Sequence, residues 1–148
     1  MNAPRRLTVS LMALLLVTAM SGCEFNVSTA HLENARLAKG VDENQNAVDT
    51  TRTFSTSDKE FHCLADLANA PDGTRIKAVW RVIKAEGAAP DQVIVEKELQ
   101  AGSEMNKLHF SMTTETGFPP GDYRCDLYLN AKRDGSSKPE TSLPFVIR

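Results

Sequence analysis

The side chains best suited to chemistry near neutral pH are few in this chain: His31, His62 and His109, and Cys23, Cys63 and Cys125. His62 and His109 lie in the segments "EFHCLADL" and "NKLHFSMT", each on the phase opposite the apolar residues. If those segments are neighbouring strands, the two rings stand about 5 Å apart at Cβ when directly opposite. With Glu60 or Asp66 nearby, the pair has the donor types of a zinc, copper or nickel site. A zinc site takes three or four protein ligands, and the sequence supplies no third, so two solvated histidines on a polar face are the weightier reading. His31 falls in a polar stretch near the start of the chain. There is no G-x-S-x-G, no H-E-x-x-H, no glycine-rich phosphate loop and no C-x-x-C. The expectation is a non-enzymatic protein with no cofactor.

Short alternating segments position these residues. "EFHCLADL" sets Phe61, Cys63, Ala65 and Leu67 against His62, Leu64 and Asp66, and "TRIKAVWRVI" sets Ile76, Ala78, Trp80 and Val82 against Lys77, Val79, Arg81 and Ile83. "NKLHFSMT" turns Leu108, Phe110 and Met112 one way, "YRCDLYLN" does so with Tyr123, Cys125, Leu127 and Leu129, and "SLPFVIR" with Leu143, Phe145 and Ile147. "QVIVEKEL" is a further strand. "APDG", "EGAAPD", "TGFPPGD" and "RDGSSKPE" separate them with turn chemistry. No stretch beyond residue 50 carries a helical stripe. Single apolar faces of this kind are hidden by stacking two sheets, so an antiparallel β-sandwich of about seven strands is expected. "AHLENARLAKG" has helix propensity, but an extended first strand is preferred.

The chain opens "MNAPRRLTVSLMALLLVTAMSGC", with Arg5 and Arg6 before a short apolar run and small residues after it. That is the layout of a secretory signal, and the run is shorter than the roughly 20 apolar residues of a membrane span. Met20-Ser21-Gly22-Cys23 resembles the lipobox of bacterial lipoproteins. The resemblance implies cleavage before Cys23, acylation (palmitate among the chains) of its thiol, and a stable membrane anchor. Glu24, rather than Asp, follows the cysteine, which leans toward the outer membrane, facing the periplasm. Residues 1–22 are then a leader, 23–35 a tether and 36–148 the domain. The chain's formal charge is −2, and loss of the two leader arginines takes it near −4, without the basic clustering that nucleic-acid binders carry.

With Cys23 lipidated, Cys63 and Cys125 remain. In an oxidising compartment two such cysteines are expected to pair, and closing a loop of roughly 60 residues is worth about 4 kcal/mol in the chain-entropy treatment. The order Cys63, Trp80, Tyr123, Cys125 resembles that of immunoglobulin-like domains. There a tryptophan packs on an inter-sheet cystine, and a tyrosine two residues before the second cysteine forms the tyrosine corner. Residues 36–148 also resemble a poorly characterised domain of prokaryotic exported proteins. The shared patterns are "l-n-a-P-x-G-T-x-v-x-a-x-W", seen here as "LANAPDGTRIKAVW", and "G-x-P-x-G-x-Y-x-v-x-l-Y-l-N", seen as "GFPPGDYRCDLYLN". The resemblance implies the fold and is nearly silent on function. Trp80 and Tyr123 are assigned to the core.

Val79, Arg81, Arg124 and Tyr128 fall on the outward phase of two adjacent strands, with Ile83 and Val146 beside them. Tyr and Arg are enriched at binding hot spots, which makes this face the candidate surface for an envelope protein partner. The functional expectation is a lipid-anchored binding or accessory module. The alternatives are an inhibitor or immunity lipoprotein acting on an envelope-directed enzyme, and a metal-handling lipoprotein using His62 and His109.

Overall fold

Period-two alternation becomes strand along nearly the whole chain. The computed structural model describes residues 29–130 and 137–148, and among these there is no helix. The strands are β1 (His31–Val41), β2 (Ala47–Thr50), β3 (Thr53–Phe54), β4 (Glu60–Ala68), β5 (Arg75–Ala85), β6 (Gln92–Gln100), β7 (Lys107–Thr113), β8 (Gly121–Leu129) and β9 (Thr141–Ile147). They form a four-stranded sheet in the order β2-β1-β4-β7 and a five-stranded sheet in the order β3-β9-β8-β5-β6. All pairings are antiparallel except β3 with β9, where Thr53 faces Val146 and Phe54 faces Ile147 in parallel register. β1 begins at His31, so residues 31–35, expected in the tether, are strand. The leader, Cys23 and the rest of the expected tether up to residue 28 lie outside the described residues.

The inward phases meet in one core, as the alternation requires. Phe61, Cys63, Ala65, Leu67, Leu108, Phe110 and Met112 from one sheet pack on Ile76, Ala78, Trp80, Val82, Tyr123, Cys125, Leu127, Leu143, Phe145 and Ile147 from the other. Phe145 is the hub of the aromatic contacts. Its ring lies 5.5 Å from Phe54, 6.1 Å from Phe61, 5.9 Å from Trp80 and 5.5 Å from Tyr123, centroid to centroid, within the range where such pairs add to plain area burial.

The expected cystine is not formed. Cys63 and Cys125 are free thiols, both buried, one from each sheet. They meet at hydrogen-bonding rather than bonding separation, and burial, reinforced by the bond to Cys63, pushes the Cys125 thiol well above its usual range. Trp80 is directly opposite Cys125 in the β5–β8 register. The two cysteines thus serve as small apolar side chains beside the indole, a role to which the residue type is suited.

Candidate functional site

The outer face of the five-stranded sheet is built from the odd phase of β5 and the even phase of β8. Register places Lys77 opposite Tyr128, Val79 opposite Asp126 and Arg81 opposite Arg124, while Asp126 also faces Ser142 on β9. Two arginines directly opposite each other repel. Asp126 resolves this. It is 1% exposed although it points away from the core. Its carboxylate accepts from Arg124 Nε at 2.8 and 3.0 Å and from Ser142 Oγ at 2.6 Å, with Arg81 Nε at 3.3 Å. A buried carboxylate needs this degree of pairing. Its effect is to hold two guanidinium groups by their inner nitrogens.

Their terminal nitrogens have only weak partners. Arg81 Nη1 donates to the Asp91 carbonyl at 3.4 Å, and Arg124 Nη2 lies 3.7 Å from Asp91 Oδ1. Asp91 sits in the β5–β6 turn at φ 58°, with a side chain 71% exposed. Alongside Arg124 runs a groove of about 450 Å³ lined by Arg52, Ile83, Asp122, Pro144 and Val146. Arg52 is exposed and its guanidinium has no partner among the described residues. At the other end of the face, Lys77 Nζ stands 5.4 Å over the Tyr128 ring and 3.7 Å from Glu96.

Of the four residues expected to form a partner surface, Arg81, Arg124 and Tyr128 are together on this face. Val79 is not available: it is 1% exposed, directly across from the equally buried Asp126. Asp126, Arg52 and Asp91 were not legible as participants. An acid on an outward phase reads as solvated, and the other two come from connecting segments that strand periodicity does not place.

The histidines lie on the outer face of the opposite sheet. His62 faces Ser111 and His109 faces Leu64, so they are diagonal neighbours rather than directly opposite. The rings stack at 5.1 Å with 30° between planes, and His62 Nδ1 is 2.9 Å from His109 Nε2. His62 is 8% exposed, and its Nε2 has no hydrogen-bond partner, although Glu60 Oε2 lies 3.4 Å away. Burial, then the adjacent His62 and Lys97, hold the His109 ring below the ordinary imidazole value. Asp66 is taken up by Asn34 Nδ2 at 2.8 Å. Each ring therefore spends a nitrogen on the other, and among the described residues no group of three or more His, Cys, Asp or Glu side chains is placed to hold a metal ion. His31 is remote from both, bonded to the Thr29 carbonyl at 3.0 Å and to Glu33 at 2.8 Å.

The tyrosine corner is present. Tyr123 Oη donates to the Pro119 carbonyl at 2.7 Å, four residues upstream. Gly117 (φ +81°) faces the Thr56 carbonyl, and Gly121 lies against Lys84 and Ala85, so that a Cβ at either would collide with backbone. These contacts account physically for both glycines and the tyrosine of "GFPPGDY".

No protein-family model and no curated protein matches the chain. Solved structures do. An immunoglobulin-like protein from Pseudomonas aeruginosa superposes with a TM-score of 0.52 at 9% identity, over 80% of this chain and 96% of that one. Weaker likenesses are to an alkylpurine DNA glycosylase of Pseudomonas fluorescens bound to abasic-site DNA and a β-glucosidase of Listeria innocua. For the first the TM-score is 0.44 at 16% identity, over 80% of this chain and 30% of that one. For the second it is 0.47 at 12% identity, over 80% and 16%. At such identities the likeness concerns the fold alone: the sandwich is immunoglobulin-like.

Proposed function

We propose that the protein is a lipid-anchored, non-enzymatic binding module of the cell envelope, and that the outer face of β5, β8 and β9 is its partner surface. The observation that carries this is the fully buried Asp126, which ties Arg81 and Arg124 together on this face, with Arg124 lining a groove shared with Ile83, Pro144 and Val146. Oriented arginines with a neighbouring tyrosine are the composition of binding hot spots. The fold's neighbour of matching length is an immunoglobulin-like protein, a fold that hosts many functions and licenses no reaction by itself. The anchor rests on the leader and Cys23 alone.

Crosslinking the full-length protein in its native membrane tests both parts. Cys23→Ser is expected to release the protein from the membrane fraction. Tyr128→Ala combined with Arg124→Gln is expected to abolish a crosslinked complex that the parent chain forms, with a single cooperative unfolding transition, at a lowered midpoint, showing that the variant is folded. A complex that survives the double substitution in a folded protein places the partner surface elsewhere.

A further inference from the structure

We propose that the groove beside Arg124 takes a side-chain carboxylate from an extended acidic-apolar segment of a partner protein. This rests on the face being the partner surface. Three features identify the chemistry. The first is the built cationic end: Asp126, fully buried, holds Arg81 and Arg124 through Nε, and a guanidinium so held keeps further N–H donors suited to a carboxylate. The second is a stand-in already at that place. The exposed Asp91 reaches Arg124 Nη2 only at 3.7 Å and offers Arg81 its backbone carbonyl at 3.4 Å. The position beside Arg124 thus already faces a carboxylate, at a distance too long for a hydrogen bond. The third is the lining beyond. Ile83, Pro144 and Val146 give an apolar floor, and Arg52 supplies a second cation without a partner among the described residues.

The acids nearby decide between anions. Asp122 lines the groove and Asp91 stands 3.7 Å from Arg124 Nη2. A dianionic phosphate meets more repulsion from these two than a single carboxylate does, and a headgroup has no use for the apolar floor. An extended peptide uses all of it: a glutamate or aspartate on Arg124 and Arg52, an apolar side chain on Ile83 and Val146, and a backbone N–H donated to Asp122.

The test is fluorescence anisotropy with full-length protein and a labelled, acetylated and amidated peptide alternating glutamate and valine, against its glutamine counterpart. The glutamate peptide is expected to bind about tenfold more tightly than the glutamine one, and the preference is expected to shrink as salt rises. Arg52→Gln, an exposed residue outside the core, is expected to weaken binding about three- to fivefold, the scale of a rim-exposed ion pair. Asp91→Asn, which keeps a residue type that tolerates positive φ, is expected to tighten it about two- to fivefold by removing the internal competitor. Equal affinity for the two peptides overturns the proposal. So does indifference to both substitutions, or binding to vesicles of anionic phospholipid in place of the peptide. If the membrane complex is lost in the Tyr128 and Arg124 double variant while the peptide fails, only the acidic-segment assignment falls. If the lipidated chain forms no complex at all, the reading beneath it falls whatever the peptide does.

Discussion

Tyr123 and Pro119 are joined by a hydrogen bond of 2.7 Å from phenol to carbonyl, closing the turn that leads into β8. The ring itself is stacked on Phe145 at 21° between planes, so the residue ties the turn to the core at both ends. Tyr123→Phe keeps the stack and orphans the carbonyl. It is expected to cost about 1 kcal/mol, a typical net hydrogen bond, read as a fall in the denaturant midpoint at constant slope. Gly121→Ala is expected to cost more, about 2 kcal/mol or above, since the new Cβ meets the Lys84 carbonyl and Ala85 and the backbone must yield.

Asp126→Asn removes the charge that holds two arginines together. The buried acid makes bonds to Arg124 and Ser142 and an ion pair to Arg81. Breaking a buried pair by taking out one partner is destabilising by about 3 kcal/mol. The expected result is a drop of that order in urea unfolding and, in the same variant, loss of peptide binding. A melting curve indistinguishable from the parent would mean that Asp126 does not order the face.

His109 sets a pH dependence whose sign is fixed. Its ring is held below the ordinary imidazole value of 6.5, by burial first and then by His62 and Lys97. The neutral form is therefore favoured in the fold. This contribution is complete above pH 6.5, where the unfolded ring is also neutral, and is lost as pH falls through 6.5 toward the folded value. His31, raised by the Thr29 carbonyl and then Glu33, acts with the opposite sign. Stability measured from pH 7.5 to 5 is expected to decline on the acid side, and His109→Gln is expected to flatten that decline. A decline equally steep in the variant would assign it to other groups.

Cys63 and Cys125 are expected to resist a thiol reagent in the folded protein and to react fully on unfolding. Both are buried, and burial keeps the Cys125 thiol protonated far above its ordinary range, whereas the thiolate is the nucleophile. Addition of reductant is expected to leave the melting temperature unchanged. A marked fall would show that the isolated protein carries a cystine.

The core was legible because it follows a rule with period two. Each inward residue from Phe61 to Ile147 alternates with an outward one, and a strand has no other way to hide them. The paired sheets followed from the turn residues between them. The same rule misreads the faces. Val79 and Asp126 are outward in phase yet 1% exposed, because burial there is decided by what β8 and β9 bring alongside, and a strand's own sequence does not name its neighbours. Arg52 enters the groove, and Asp91 approaches Arg124, from connecting segments, where no periodicity applies. The free cysteines show a different limit: the sequence places both sulfurs in the middle of the sandwich, but whether they bond is settled by separation and redox conditions.

β9 lies between β3 and β8, and its parallel partner β3 precedes it by about 90 residues, a separation at which loop closure comes before any reward. Phe54 has no partner for its ring in that sheet until Phe145 arrives. The four-stranded sheet draws on residues 31–113 alone, whereas the five-stranded sheet is completed only by residues 141–147, so the final strand closes the core rather than decorating it.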